Sequence, residues 1–303
     1  MEKTQFILPA APAVQTNASI SREALLSPWP KITWWTIVQI ALALVIYNWG
    51  LQGARVNLQE LLEGIPNIIN FITRLFPPEY TWAEIQVAVP GLLTAVFGVG
   101  FALTLPEVIS AIIETVQMAI VGTSLAVILS LPFGLLAARN TSPHPVVYQT
   151  TRMMMNIIRA IPEIIFALIF VAAVGLGPFG GVLALAIGSI GFLGKMYAES
   201  IEAIDPQQVL AVRATGASRL HVFGYGVVPQ ALPLMASYSI YLFESNIRHA
   251  TILGLVGAGG VGFVISKYIA LFQYRKLMGA MILIVLTVTI VDRISDRLRK
   301  RFT

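Results

Sequence analysis

Apolar residues in this 303-residue chain gather into long uncharged stretches instead of recurring at the spacing of one-sided helices. Uncharged or nearly uncharged runs cover 32–52, 85–105, 115–138, 164–194, 220–243, 249–266 and 277–291. A helix needs roughly 20 residues to cross the hydrocarbon of a bilayer, so several runs qualify. The pattern predicts an all-α, polytopic transmembrane helical bundle of about six spans, near 32–50, 113–138, 158–176, 180–197, 230–248 and 276–293. Two segments depart from it. Between Leu58 and Leu75 apolar residues return at Leu61, Leu62, Ile65, Ile68, Ile69 and Ile72, which predicts an amphipathic helix in the outer interface, or else a helix with its polar face in water. The run 85–104 is long enough to cross, but a crossing there reverses all later topology against the charge bias, so it is read as a re-entrant or interfacial excursion.

Charge orients the bundle. With six spans, the first 31 residues and the loops 139–159 and 195–222 hold three Lys/Arg each and the C-terminal tail five, 14 of the 20 in the chain. Positive charge marks the cytoplasmic side, so both termini are expected inside. Residues 1–31 mix Pro, Ser, Thr and charges without an apolar core, and read as a cytoplasmic tail, not a cleaved signal. Residues 32–112 then hold the first span and an interfacial or re-entrant part, and 113–303 the main bundle. The composition is 56% apolar and 12% charged, with no cysteine. That excludes disulfides, Cys-ligated zinc and thiol nucleophiles. A net charge of +5 raises nucleic acid as a partner, but the cations sit at the ends of apolar runs and form no basic stripe.

The 31 uncharged residues of 164–194 are too many for one span, and Gly175-Leu176-Gly177-Pro178 interrupts them with a tight turn. Beyond it Ala184, Gly188, Gly191 and Gly194 lie on successive helical turns, a surface that admits a close neighbour. Trp34, Trp35 and Trp49 flank the first span as interfacial aromatics do. The most informative loop is 198–220. Asp205 before Pro206 is an N-cap with proline at the first helical position, and Gly216 ends the helix about three turns later. Ser218 starts a second helix on which Leu220, Val222 and Phe223 pack, before Pro229 and Pro233 lead into the next span. A short capped helix between two spans is a rigid lever, and equally an ordinary structured loop.

The same stretch resembles the cytoplasmic loop of binding-protein-dependent ABC importer permeases, whose pattern is Glu-Ala-Ala, three residues, Gly, nine residues, then Ile-x-Leu-Pro. Gly216 takes the Gly, Ala211 the middle Ala, and Val228-Pro229 the Leu-Pro; Leu210, Val212 and Gly226 depart from the Glu, the second Ala and the Ile. Within that superfamily the chain is similar to permease subunits of phosphonate importers, of type I, MetI-like architecture. The similarity rests on LPFGLLAARN at 131–140, RAIPEIIFALIFVAAVGLGPFGGVLALAIGSIG at 159–191, IDPQQVLAVRATGAS at 204–218 and ATILGLVGAGGVGF at 250–263, and runs from about 115 to 301. It implies a homodimer in the bacterial inner membrane, a periplasmic substrate-binding protein, and a cytosolic ABC ATPase dimer that carries the ATP and magnesium. The ATPases are expected to dock on 205–219, with Asp205, Pro206, Ala211, Arg213, Ala214, Thr215, Gly216, Ala217, Ser218 and Pro229 as coupling residues. The implied cargo is phosphonate or a related phosphorus oxyanion such as phosphite or phosphate. A methionine or quaternary-amine permease, an ATPase-independent transporter or channel, and a membrane-embedded enzyme remain as rivals, the last opposed by the lack of clustered His, Asp or Glu in the spans.

Three local patterns complete the reading. Gly257-Ala258-Gly259-Gly260-Val261-Gly262 matches a dinucleotide fingerprint, but no Asp or Glu lies between Glu244 and Asp292 to hold a ribose. A glycine-rich kink that gates the outer mouth suits Gly257, Gly259, Gly260 and Gly262 better. Gly194-Lys195 fails the P-loop pattern, and His144, His221 and His249 lack metal-ligand spacing, so neither nucleotide nor metal is expected on this chain. Glu244 and Arg248 share a helix face near the outer end of the fifth span. They form either a structural pair or, through Arg248 with Asn246 and His249, a source of positive potential along an anion path. Arg159 and Glu163 suggest a second such pair.

Overall fold

The computed structural model describes residues 33–55, 57–80, 82–86 and 102–301. The chain divides into two units, Met1–Pro66 and Asn67–Thr303. In the first, helix α1 (Trp34–Gly53) is apolar on every side and has no buried residue, the pattern of a helix whose surroundings are lipid. Helix α2 (Leu58–Leu75) starts in this unit, where Asn57 Oδ1 accepts the Gln59 N–H at 3.0 Å, and ends in the second.

The second unit continues with strands β1 (Trp82–Gln86) and β2 (Ala102–Pro106), paired antiparallel from Trp82 opposite Pro106 to Gln86 opposite Ala102. The expected excursion over 85–104 therefore starts and finishes at adjacent points, and its middle, 87–101, lies outside the described residues. Then follow α3 (Glu107–Ala137), α4 (Pro145–Ala160), α5 (Glu163–Val174), α6 (Pro178–Glu202), α7 (Pro206–Ala214), α8 (Arg219–Val222), a wide π-type turn at Phe223–Val227, α9 (Val228–Gly254), α10 (Gly260–Ala270) and α11 (Tyr274–Arg299).

Helix α3 is the spine. Four apolar clusters follow one another along it, gathered around Val108 and Ala111, around Met118, around Ala126, and around Ala137 with Ala138. Its main neighbour is α6, and glycines set the approach: a methyl group at Gly122 would stand 2.9 Å from Leu185 Cβ, and one at Gly134 2.7 Å from Tyr197 Cβ. The small-residue surface of α6 does admit close neighbours. Gly191 lies against the Met155 carbonyl and the Arg159 N–H of α4, and Gly188 against Glu163 of α5.

Among the described residues α1, α3, α6 and α11 are long and apolar enough to cross a membrane, and a fifth crossing arises if α4 and α5 count together. The expected straight span at 158–176 is instead a bend of 83° between those two helices. Pro162 causes it: proline disfavours helical backbone at the residue before it, and Ile161 is extended at ψ 120°. Helix α9, with 27 residues, is longer than the expected 230–248 at both ends.

Candidate coupling surface and translocation region

The handle at 205–219 forms by local rules. Asp205 Oδ1 accepts the Gln207 N–H at 2.8 Å, Pro206 opens the helix, and Gly216 closes it in the left-handed region at φ 79°. Helix α7 has no buried residue. It rests on one side only, where Val209 and Val212 lie over Gly226; a side chain at Gly226 would meet Val209 Cα at 3.4 Å. One side chain braces the seat from below: Gln230 Oε1 accepts the Asp205 N–H at 2.9 Å while its Nε2 donates to the Gly226 carbonyl at 2.5 Å. Asp205, Pro206, Ala211, Arg213, Ala214, Thr215, Gly216, Ser218 and Pro229 are exposed and Ala217 half-buried, so each is accessible to a partner. Leu210, which stands where the related pattern has Glu, is 52% exposed.

Two local expectations are corrected. Ser218 occupies the cap position of α8, but its side chain makes no bond to the helix backbone; its hydroxyl pairs with His221 Nδ1 at 2.7 Å. Leu220 does not pack with Val222 and Phe223 but is 77% exposed: α8 is a single turn that runs straight on into the wide turn.

Sequence reasoning missed the clamp beside this handle. Glu202, the last residue of α6, accepts the Arg139 N–H at 2.7 Å and an Arg152 Nη2 bond at 2.8 Å, while Arg152 Nε donates to the Ala137 carbonyl at 3.0 Å. Arg152 also lies 4.8 Å above the Tyr148 ring. The ends of α3 and α6 are thereby tied to the middle of α4 where the handle leaves the bundle. In the sequence, Arg139 and Arg152 serve only to orient the spans, and Glu202 carries no signal of its own.

Asn246, Arg248 and His249 do not converge on a path. Successive residues of a helix point about 100° apart, and here each faces a different element. Asn246 is fully buried, donating to Thr123 Oγ1 at 2.9 Å and accepting from Ser189 Oγ at 3.4 Å, so it joins α9 to α3 and α6. Arg248 bonds Glu244 at 2.6 Å and Asp292 at 3.1 Å. Arg299 reaches the other Glu244 oxygen at 3.2 Å. Two carboxylates thus face Arg248, leaving little positive potential for an anion. The pair is not at the end of its helix either, for α9 continues to Gly254 and the partners come from the polar last turns of α11. His249 Nδ1 stands 3.9 Å from Glu163 Oε1; Glu163 therefore faces α9, not Arg159, which the bend at Pro162 turns away.

The glycine-rich stretch makes a corner between α9 and α10. Gly257, Gly259 and Gly260 have φ of 90°, 79° and 67°, a region that other residues seldom occupy. Gly254 and Gly262 let the two helices touch backbone to backbone, and a methyl group at Gly254 would stand 2.6 Å from Gly262 Cα. Two residues of α3 cap α10: Glu114 Oε1 accepts the Gly260 N–H at 3.3 Å and Thr115 Oγ1 the Val261 N–H at 2.8 Å. The Gly257 carbonyl accepts from Gly177 N–H at 3.0 Å, which ties the corner to the turn before α6. An adjoining cavity of about 350 Å³ is lined by Glu107, Ser110, Glu114 and the glycines.

An apolar bundle with several helices long enough to cross a bilayer, and an exposed, capped and braced helix between two of its long helices, defines a polytopic membrane protein. Residues 130–303 match the family described as Binding-protein-dependent transport system inner membrane component. Over 242 residues the chain is 39% identical to the phosphite transport system permease protein PtxC of Stutzerimonas stutzeri, covering 80% of each protein. Over 222 residues it is 40% identical to the phosphate-import permease protein PhnE of Mycolicibacterium smegmatis, covering 73% of this chain and 41% of that one. Among solved structures, the MetNI methionine ABC transporter in an inward-facing conformation matches 65% of this chain and 96% of its own with a TM-score of 0.57 at 22% identity, a likeness of fold. The chain belongs to the family of inner-membrane components of binding-protein-dependent ABC importers.

Proposed function

We propose that this chain is the translocating subunit for a small phosphorus oxyanion: phosphonate, phosphite or phosphate. The relatives named for phosphite and phosphate support the cargo, and the exposed helix Pro206–Ala214 is the observation that carries the mechanism. A cytosolic ATPase dimer, which holds the ATP and magnesium, grips the face made by Asp205, Pro206, Ala211, Arg213, Ala214, Thr215, Gly216, Ala217, Ser218 and Pro229. Its closure is passed through Gln230 to the start of α9, and the bundle alternates between outward and inward openings. Two copies of the chain frame the pathway, lipid surrounds them, and a periplasmic binding protein delivers the ligand to the side of the glycine corner. Both termini lie in the cytoplasm, and the chain itself performs no hydrolysis. Gly257, Gly259, Gly260 and Gly262 shape the outer gate.

The test is reconstitution of the chain with its ATPase and binding protein in nanodiscs. Binding protein loaded with phosphite, methylphosphonate or phosphate is expected to stimulate ATP hydrolysis above the unloaded protein. Stimulation by methionine or a quaternary amine instead would overturn the cargo, and transport of oxyanion without the ATPase would overturn the mechanism.

A further inference from the structure

The first turn of α11 carries charge of the wrong sign for its position. The amino end of a helix is the positive end of its dipole and favours carboxylates, yet α11 begins Tyr274-Arg275-Lys276 and has no acidic residue in its first turn. Among the described residues the N–H groups of 274–276 find no acceptor; the first that does is Leu277, bonded to the Gln273 carbonyl at 3.0 Å. A third cation, Arg74 in the last turn of α2, faces the same space. Together these groups line a cavity of about 520 Å³ with Thr73, Phe76, Phe272 and Gln273. Glu79 lines it too, but among the described residues no carboxylate comes within 4.0 Å of any of the three cations.

Free helix N–H groups beside Lys and Arg are the usual means of holding a phosphate-type anion. The cavity's depth is also telling. Leu277, immediately after the cations, is buried in the apolar cluster around Val108. The Tyr274 ring, meanwhile, packs edge-on against Phe71 at 5.3 Å and near Phe272 at 6.2 Å. Aromatic and basic residues together just outside an apolar span mark the level of lipid headgroups.

We propose that this cavity is a binding site for a phosphorus oxyanion, with Arg74, Arg275, Lys276 and the first-turn N–H groups of α11 as its donors. The source of the oxyanion is an anionic phospholipid headgroup or the free ion. The site does not depend on which cargo the importer moves.

The test uses the full-length chain in detergent. In one arm phosphatidylglycerol and phosphatidylcholine are titrated in and retained lipid is read by native mass spectrometry; in the other, radiolabelled inorganic phosphate is measured by equilibrium dialysis. Arg74→Gln, Arg275→Gln and Lys276→Gln are each expected to weaken binding of the anionic probe about 5-fold, with phosphatidylcholine unchanged. Glu79→Gln is expected to strengthen it, a gain that misfolding cannot imitate. Dependence on these four residues in the phosphatidylglycerol arm alone assigns the site to lipid, and in the dialysis arm to the free ion. If neither probe binds saturably, or if all four variants bind like the unmodified chain, the proposal is overturned.

Discussion

Arg152 Nη2 meets Glu202 Oε2 at 2.8 Å across fifty residues of sequence, and the contact closes the bundle where the exposed handle leaves it. Both side chains are partly open to solvent, at 27% and 29%, so the pair contributes to stability only on the order of 1 kcal/mol or less. Its effect is on position. Glu202→Gln is expected to leave expression and thermal stability nearly unchanged while lowering the ATPase stimulation produced by loaded binding protein. Parallel melting and ATPase assays separate the two; equal losses in both would mean a purely structural contact.

The handle itself offers a sharper test. Proline at Val212 removes an N–H within α7 and clashes with the preceding turn, at a cost of about 3 kcal/mol to that helix. Because no residue of α7 is itself buried, Val212→Pro is expected to leave the bundle inserted and folded yet fail to retain the ATPase on purification and to abolish uptake. Intact uptake by this variant would remove the coupling role of 205–219.

At the opposite corner, space is the issue. A methyl group at Gly254 would sit 2.5 Å from the Gly259 carbonyl and 2.7 Å from the Phe263 N–H, and backbone atoms there have nowhere to move. Gly254→Ala is expected to destabilise the chain by about 1–3 kcal/mol through overpacking. Gly224→Ala, with nothing within 4 Å, serves as the matched control. Thermal unfolding in detergent compares them.

Asn246 is a buried polar node, so its partners are exposed to loss. Asn246→Leu leaves Thr123 and Ser189 without their carboxamide and is expected to cost about 1–3 kcal/mol. The double variant Asn246→Leu with Thr123→Val removes both ends of the bond and is expected to recover part of that loss. No recovery in the melting midpoint would show that the cost comes from shape, not from the hydrogen bond.

What could be read from the sequence was whatever is decided within a few residues. Asp205, Pro206 and Gly216 specify a short helix by capping, which is local chemistry, and the spacing of Gly188, Gly191 and Gly194 predicted a close neighbour without saying which. The family followed from the same stretches and the comparisons bear it out. Pairings that depend on how helices pack were beyond reach. Glu114 and Thr115 cap a helix 146 residues further on, and Glu163 faces His249 only because Pro162 bends the chain. Asn246, Arg248 and His249 were grouped because they are neighbours in sequence; along a helix, adjacency is what separates side chains.

Helix α9 runs without interruption from the Gln230 brace to Gly254 at the glycine corner, about 40 Å at the usual helical rise. Pro233 is the single proline beyond its first turn, so flexure is confined to the end nearest the handle. Under the proposed coupling, a push received at Asp205 would arrive at the glycine corner as a tilt of one stiff shaft, in step with its cause.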